Sequence, residues 1–278
     1  MPLIRRYLHR YAKAGSAAEV VLLSKTRTET PGESQMTGLQ AHLEDLVIAN
    51  RILAHENVVD GFGHISLRHP ERPDRFLMSR SRSPELVTLD DIMEFDLDCN
   101  PIDQRGRVMY GERAIHGAIF QARADVNSVV HNHAHEIIPY SVTKTPMRQV
   151  IHTAGGMGGH IPVWDIRDDF GDTDMLVRNL QQGRSLAKAL GGNAAVLMRG
   201  HGVSVVGGSV RDAVRIAVYL MVNAHLQTEA MRLGDVTFLS EGEIVKTAEM
   251  SASPLASDRI WEYWARRSGY VSDAGTKA

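Results

Sequence analysis

The chain has a single cysteine, Cys99, among 278 residues. An internal disulfide is therefore excluded, and a reducing, cytoplasmic setting is the expectation. There is also no apolar run of the roughly 18 residues that a membrane-spanning helix needs. Charge of either sign is scarce in excess: 31 basic against 33 acidic residues leave a formal net charge of -2. Without a basic field, nucleic-acid binding has no global electrostatic support. No internal repeat or low-complexity tract interrupts the chain, and no G-x-G-x-x-G opens a helix as a dinucleotide fold would require. What remains is an ordinary globular composition, 43% apolar and 23% charged, with thirteen histidines.

Residues 1–35 differ from the rest. MPLIRRYLHRYAKAGSAAEVV is basic and partly amphipathic, its first acidic residue is Glu19, and TRTETPGESQ is a polar breaker. Three readings stay open for this N-terminal extension: a transit peptide, a disordered segment, or a start placed upstream of Met36. From 36 to 235, helical and strand patterns alternate, which predicts one α/β domain. Leu39 to Asn57 reads as a helix, GFGHISLRHP and DRFLMS as strands, and SPELVTLDDIMEFDLDCNPI as a turn or short helix followed by a strand. ERAIHGAIFQAR has helical spacing, and VNSVVHNHAHE is a β-branched run read as a buried strand. Residues 173–190 predict a helix stopped by Gly191-Gly192, NAAVLMRGHGVSVVGGS a hairpin, and Val210 to Leu233 a long helix ended by Gly234. The tail, 236–278, carries Trp261, Tyr263 and Trp264 and is expected to pack on the domain, as a lid, or on a neighbouring subunit.

The histidine spacing carries the chemistry. Residues two apart in a strand share a face, so His131 and His133 project together with Cβ atoms roughly 6.5–7 Å apart. Two imidazoles at that spacing can close on one cation at about 2.1 Å. His135 competes for the same face if the strand continues. His201 stands between glycines in Arg-Gly-His-Gly, flanked by apolar runs, an odd place for a packing residue. Glu112 opens a helix leading to the His-x-His strand; the helix dipole favours a carboxylate there, and so does acid/base work beside a metal. His116, one turn on, reads as packing or as support for the site.

Taken together, GERAIHGAIFQARADVNSVVHNHAHE followed by VLMRGHGVSVVGGSVRDAV resembles the class II aldolase/adducin family over about residues 40 to 235. The resemblance implies a three-layer α/β/α sandwich around a largely antiparallel sheet. It implies Glu112 as catalytic acid/base and His131, His133 and His201 as ligands of one divalent ion per chain, for which zinc, manganese and iron all qualify. It also implies a homotetramer acting on a small molecule, with sites near subunit interfaces. Adducin, whose head domain lacks the metal histidines, sets the limit of the likeness.

The phosphate-contacting motifs of the family's sugar-phosphate aldolases are altered. His64 replaces Asn in Gly63-His64-Ile65-Ser66-Leu67-Arg68, and Ser79-Arg80-Ser81-Arg82-Ser83-Pro84-Glu85 has no glycine. Met109-Tyr110-Gly111 stands where paired serines would precede Glu112. Arg80 and Arg82 suit a substrate carboxylate held bidentately, or else form a solvated loop paired to Glu85 or Asp90. With His64, the three histidine ligands, and the glycine-rich segment carrying His152 and His160, they resemble the family branch that decarboxylates hydroxylated aromatic acids. His64, Ser66, Arg80, Arg82 and His160 are accordingly expected at a carboxylate substrate. An aldolase-type lyase on a non-phosphorylated hydroxy-carbonyl compound, a non-haem iron oxygenase and an adducin-like binding module are the alternatives.

Overall fold

The computed structural model of the protein describes residues 38–269, so the expectations for residues 1–35 lie outside the described residues. Apolar side chains at three- and four-residue spacing wind α1 (Gly38–His55) and bury Leu46, Ala49, Ile52 and Leu53 along one stripe. Strands β1 (His64–Arg68) and β2 (Arg75–Ser79) follow. Two 3₁₀ turns, Pro84–Leu86 and Leu89–Asp91, then lead into β3 (Ile92–Asp96). Next come α2 (Arg113–Ala122), β4 (Ser128–Asn132) and α3 (Ile138–Val142). A 3₁₀ segment, His152–Met157, precedes β5 (Val163–Trp164) and α4 (Ile166–Phe170). After them come α5 (Leu180–Leu190), β6 (Ala195–Met198), β7 (Gly202–Gly207) and α6 (Val210–Leu233). Finally α7 (Glu241–Ser251) and α8 (Pro254–Arg267) lie within the tail, where Trp261 and Trp264 are buried against the layer of α1 and α6.

The helix expected over 173–190 begins only at Leu180. Thr173 Oγ1 accepts from Met175 N and Asp174 Oδ1 from Leu176 N, local bonds that draw the backbone away from a helix. Met175 adopts φ +71°, and Asn179 caps α5 by accepting from Gln182 N. The freed segment, 173–179, runs over the N-terminus of α2.

The seven strands form one sheet in the order β3-β2-β1-β4-β7-β6-β5, antiparallel except for the short edge pair β5-β6. Alternation along the strands separates two cores. Ile65, Leu67, Val130, Val203 and Val205 face α1 and α6, whereas Phe76, Met78, Val129, Val196 and Val206 face α2 and α5. The result is helix, sheet and helix in three layers, with one face of β1 and β4 opposite α2.

Helices α2 and α5 touch closely at Gly183. A Cβ there would lie 2.4 Å from Ala114 O and 2.9 Å from Ala118 Cβ. Gly183→Ala must push the helices apart, and overpacking of this kind costs about 1–3 kcal/mol. We expect the melting temperature to fall by about 2–4 °C per kcal/mol. Gly192→Ala, where a Cβ meets nothing within 4 Å, should stay within about 2 °C of the parent. Equal melting temperatures for all three proteins by circular dichroism would refute the close-packing account.

Candidate metal centre

His131 is the penultimate residue of β4 and is fully buried, facing α2. His133 follows the last residue of β4, and the chain then turns, with Ile137 N donating to Ala134 O. That turn swings His135 out to an exposed position, which removes it from the competition for the third place. His201 arrives from the β6–β7 hairpin, where Gly200 adopts φ +63°. At Gly202 a Cβ would lie 2.1 Å from Asn132 O, so only glycine lets β7 begin flush against β4. Glu112 stands at the N-terminal boundary of α2, one layer above, its side chain making no cap hydrogen bond.

These elements bring one donor atom each from Glu112, His131, His133 and His201 within 4.8 Å of one another. His131 Nε2 and His133 Nε2 are 3.1 Å apart, and Glu112 Oε2 lies 3.6 Å from Nε2 of both His131 and His201. Nδ1 of His131 is 3.2 Å from Val203 O. A carbonyl only accepts, so Nδ1 carries the proton and the Nε2 lone pair is left for the cluster. Among the described residues, both ring nitrogens of His201 are buried without a hydrogen-bond partner. Glu112 is steadied at its other oxygen, where Oε1 accepts from Val177 N at 2.9 Å.

Burial holds His131 below its ordinary value and His133 down to about 4, the latter aided by His131 and His201. Burial alone would raise the Glu112 carboxyl. The His131 and His201 rings, each 3.6 Å from Oε2, outweigh burial and keep the group well below the usual carboxylate range. Neutral imidazoles, an anionic carboxylate and an orphaned buried nitrogen are what a divalent cation would satisfy.

The flank of the cluster is built from rings. His64 pairs with His131 across β1 and β4, their ring centroids 5.1 Å apart. Its Nδ1 is 2.7 Å from His116 Nε2, and His116 Nδ1 is 2.6 Å from Ser66 Oγ. Burial depresses both imidazoles, His116 to about 3. Tyr110 packs its ring 4.7 Å from His64 and donates its hydroxyl to Arg82 O.

Arg80 and Arg82 meet not Glu85 or Asp90 but Asp91, at 2.5 and 2.8 Å. Asp91 also accepts from Thr88 N and Oγ1. Burial acts to raise this carboxyl, and the bonds from Arg80 and Thr88 overturn that, leaving it below its usual value of 3.8. A depressed carboxyl adds stability above the unfolded value, and that stability is lost as pH falls through the folded one. Asp91→Asn should therefore melt lower than the parent at pH 7, with the gap narrowing as pH drops below about 4. A gap independent of pH would assign the loss to packing instead.

Two expected substrate residues are placed elsewhere. Ser66 is fully buried and spends its hydroxyl on His116, so it supports the site without lining it. His160 precedes β5, which runs parallel to β6. Because β6 delivers His201 at its C-terminal end, His160 lies at the opposite end of the sheet and is not brought to the cluster within the chain. His152, also exposed, starts the 3₁₀ segment that leads there. Three contributors escaped the sequence reading. Val177 acts through its backbone N–H and has no residue-type signal. Asp91 was legible as the partner of Thr88 in a Thr-x-x-Asp capping box. Tyr110 stands out in the sequence only as a departure from the paired serines that would precede Glu112.

The model of the Class II Aldolase and Adducin N-terminal domain matches residues 44–228. The chain is 36% identical over 239 residues to "Decarboxylase tropJ" of Talaromyces stipitatus, covering 77% of this chain and 89% of that protein. It is 31% identical over 206 residues to the "3,4-dihydroxyphthalate decarboxylase" of Arthrobacter keyseri, covering 69% and 79%. Among solved structures, an aldolase II superfamily protein from Pseudomonas syringae superposes with a TM-score of 0.70 at 22% identity, over 84% of this chain and 94% of that one. The chain belongs to the class II aldolase and adducin family, and within it is an enzyme of the lyase kind.

Proposed function

We propose that the protein is a divalent-metal-dependent decarboxylase of a hydroxylated aromatic carboxylic acid. The observation that carries this reading is the wall beside the metal donors. The Tyr110 and His64 rings pack at a tilt beside His131 where the family's sugar-phosphate aldolases present small phosphate-contacting residues. Planar rings favour a planar substrate. The decarboxylases among the relatives support the same class.

In this reading His131, His133 and His201 hold one zinc, manganese or iron ion. A bound cation would draw electron density from the substrate's phenolic and carboxylate oxygens. Glu112, its Oε1 pinned by Val177 N–H, takes the phenol proton on its free oxygen. As carbon dioxide leaves, the electron pair of the broken C–C bond stays on the ring carbon, and Glu112 returns the proton there. Arg80 and Arg82 share the single carboxylate of Asp91, which leaves one positive charge in surplus for a substrate carboxylate.

Arg80→Lys and Arg82→Lys keep the charge but lose the guanidinium fork. A drop of about ten- to a hundredfold in kcat/KM is expected from at least one of them, with metal content unchanged. If both are kinetically silent, the loop is only scaffold and the aldolase reading moves ahead. The direct test is anaerobic incubation of the metal-loaded protein with hydroxybenzoates and hydroxyphthalates, following carbon dioxide. Release without dioxygen supports the decarboxylase over the oxygenase; no release from any of them overturns it. The reading includes a cytoplasmic location and a homotetramer, the latter of which sedimentation can check. Among the described residues no helix is long and apolar enough to cross a membrane.

A further inference from the structure

The three groups Ser66, His116 and His64 form a buried hydrogen-bonded line that ends beside the metal donors, and its direction can be deduced. Ser66 Oγ has one hydrogen-bond partner among the described residues, His116 Nδ1 at 2.6 Å. A fully buried hydroxyl with no other acceptor must send its proton there, because a stranded donor is expensive while a spare lone pair is not. His116 Nδ1 is therefore the accepting nitrogen, and in the neutral ring the proton sits on Nε2. That N–H donates to His64 Nδ1 at 2.7 Å. His64 Nδ1 is then also an acceptor, and the remaining proton of His64 is forced onto Nε2.

We propose that Ser66 and His116 are positioning residues that lock His64 as an Nε2–H donor, and that this donor holds an anionic oxygen of the substrate beside the metal. His64 is thereby prevented from acting as a fourth ligand, since its free nitrogen has no lone pair to give, and from acting as a base. The same logic explains why imidazole can stand where the aldolases carry Asn. A tautomer-locked ring offers one fixed N–H, as an amide does, while presenting a flat face to Tyr110 and to a planar substrate. The arrangement rests on the site assigned above, but its direction does not depend on the identity of the substrate.

The two levels separate experimentally. Magic-angle-spinning NMR of the zinc-loaded, ¹⁵N-histidine-labelled protein reads each ring's tautomer, with His64 assigned by its loss in His64→Asn. The Nε2–H form is expected in the parent and a mixture in Ser66→Ala. His116→Gln should restore the Nε2–H form, because a carboxamide accepts from Ser66 through its oxygen and donates to His64 through its nitrogen. His116→Leu should not. Calorimetry with 2,3-dihydroxybenzoate as the probe should show affinity about tenfold weaker for Ser66→Ala and His116→Leu, at unchanged zinc content, and near-parental affinity for His116→Gln. Should His116→Leu fail to fold, Ser66→Ala against His116→Gln still decides. A Nδ1–H tautomer of His64 in the parent, or a Ser66→Ala protein matching the parent in both tautomer and affinity, overturns the proposal. If 2,3-dihydroxybenzoate does not bind the parent at all, the substrate class fails while the tautomer measurement still tests the lock.

Discussion

The Glu112→Gln protein is expected to keep about one metal ion per chain and to lose turnover by a factor of 10² or more. Glutamine preserves the shape of the side chain and the acceptor that meets Val177 N, so the start of α2 should be undisturbed. What it removes is a group able to take a proton and give it back, and a positioned acid/base of this kind contributes about 10²- to 10⁴-fold. Glu112 is well suited to the task because it is held on one oxygen only. Oε1 is tied to the backbone while Oε2 faces His131 and His201 at 3.6 Å. Metal analysis and turnover must be measured on the same preparation. Parallel loss of metal and activity would make Glu112 chiefly a ligand, and unchanged turnover would remove it from the reaction.

Replacing His131 or His201 by alanine is expected to abolish both metal binding and activity while leaving a folded chain. Losing a direct ligand should weaken binding by more than the 10- to 100-fold typical of outer partners. The two positions differ in how they are held. His131 is locked by Val203 O inside the sheet, whereas His201 rides on a glycine-flanked turn with no hydrogen-bond partner at either nitrogen among the described residues. His131→Ala should therefore leave a small void and lower the melting temperature of the metal-free protein. His201→Ala should leave that melting temperature closer to the parent, because no hydrogen bond is lost. His135→Ala, at an exposed position, should keep its metal. Full occupancy in either ligand variant, by elemental analysis of protein purified without chelators, would dismantle the assignment.

Much of this was legible in residues that are near neighbours in the chain. The period of two put His131 and His133 on one face, and the glycines around His201 marked a hairpin turn. The run from Val210 to Leu233 announced a helix that Gly234 ends, as α6 does. These signals are local, and backbone periodicity and turn chemistry are local physics. The beginning of α5 was misjudged for an equally local reason: Thr173, Asp174 and Asn179 bond their own backbone, which apolar spacing does not reveal.

The sheet order decided the rest. Placing β1 beside β4, and β4 beside β7, set His64, His131 and Ser204 in one row, although they are separated by 67 and 73 positions in the chain. Opposite that row, His116 on α2 meets both His64 and Ser66, a contact between helix and sheet that spacing along the chain does not reveal. The parallel β5–β6 pair carried His160 to the far end of the sheet, and the 3₁₀ turn at Leu89–Asp91 gave Arg80 and Arg82 a shared partner in Asp91. Residue type and spacing determined which side chains can bind a metal. Which of them meet was settled by long-range strand pairing, whose register depends on two segments at once and is written in neither alone.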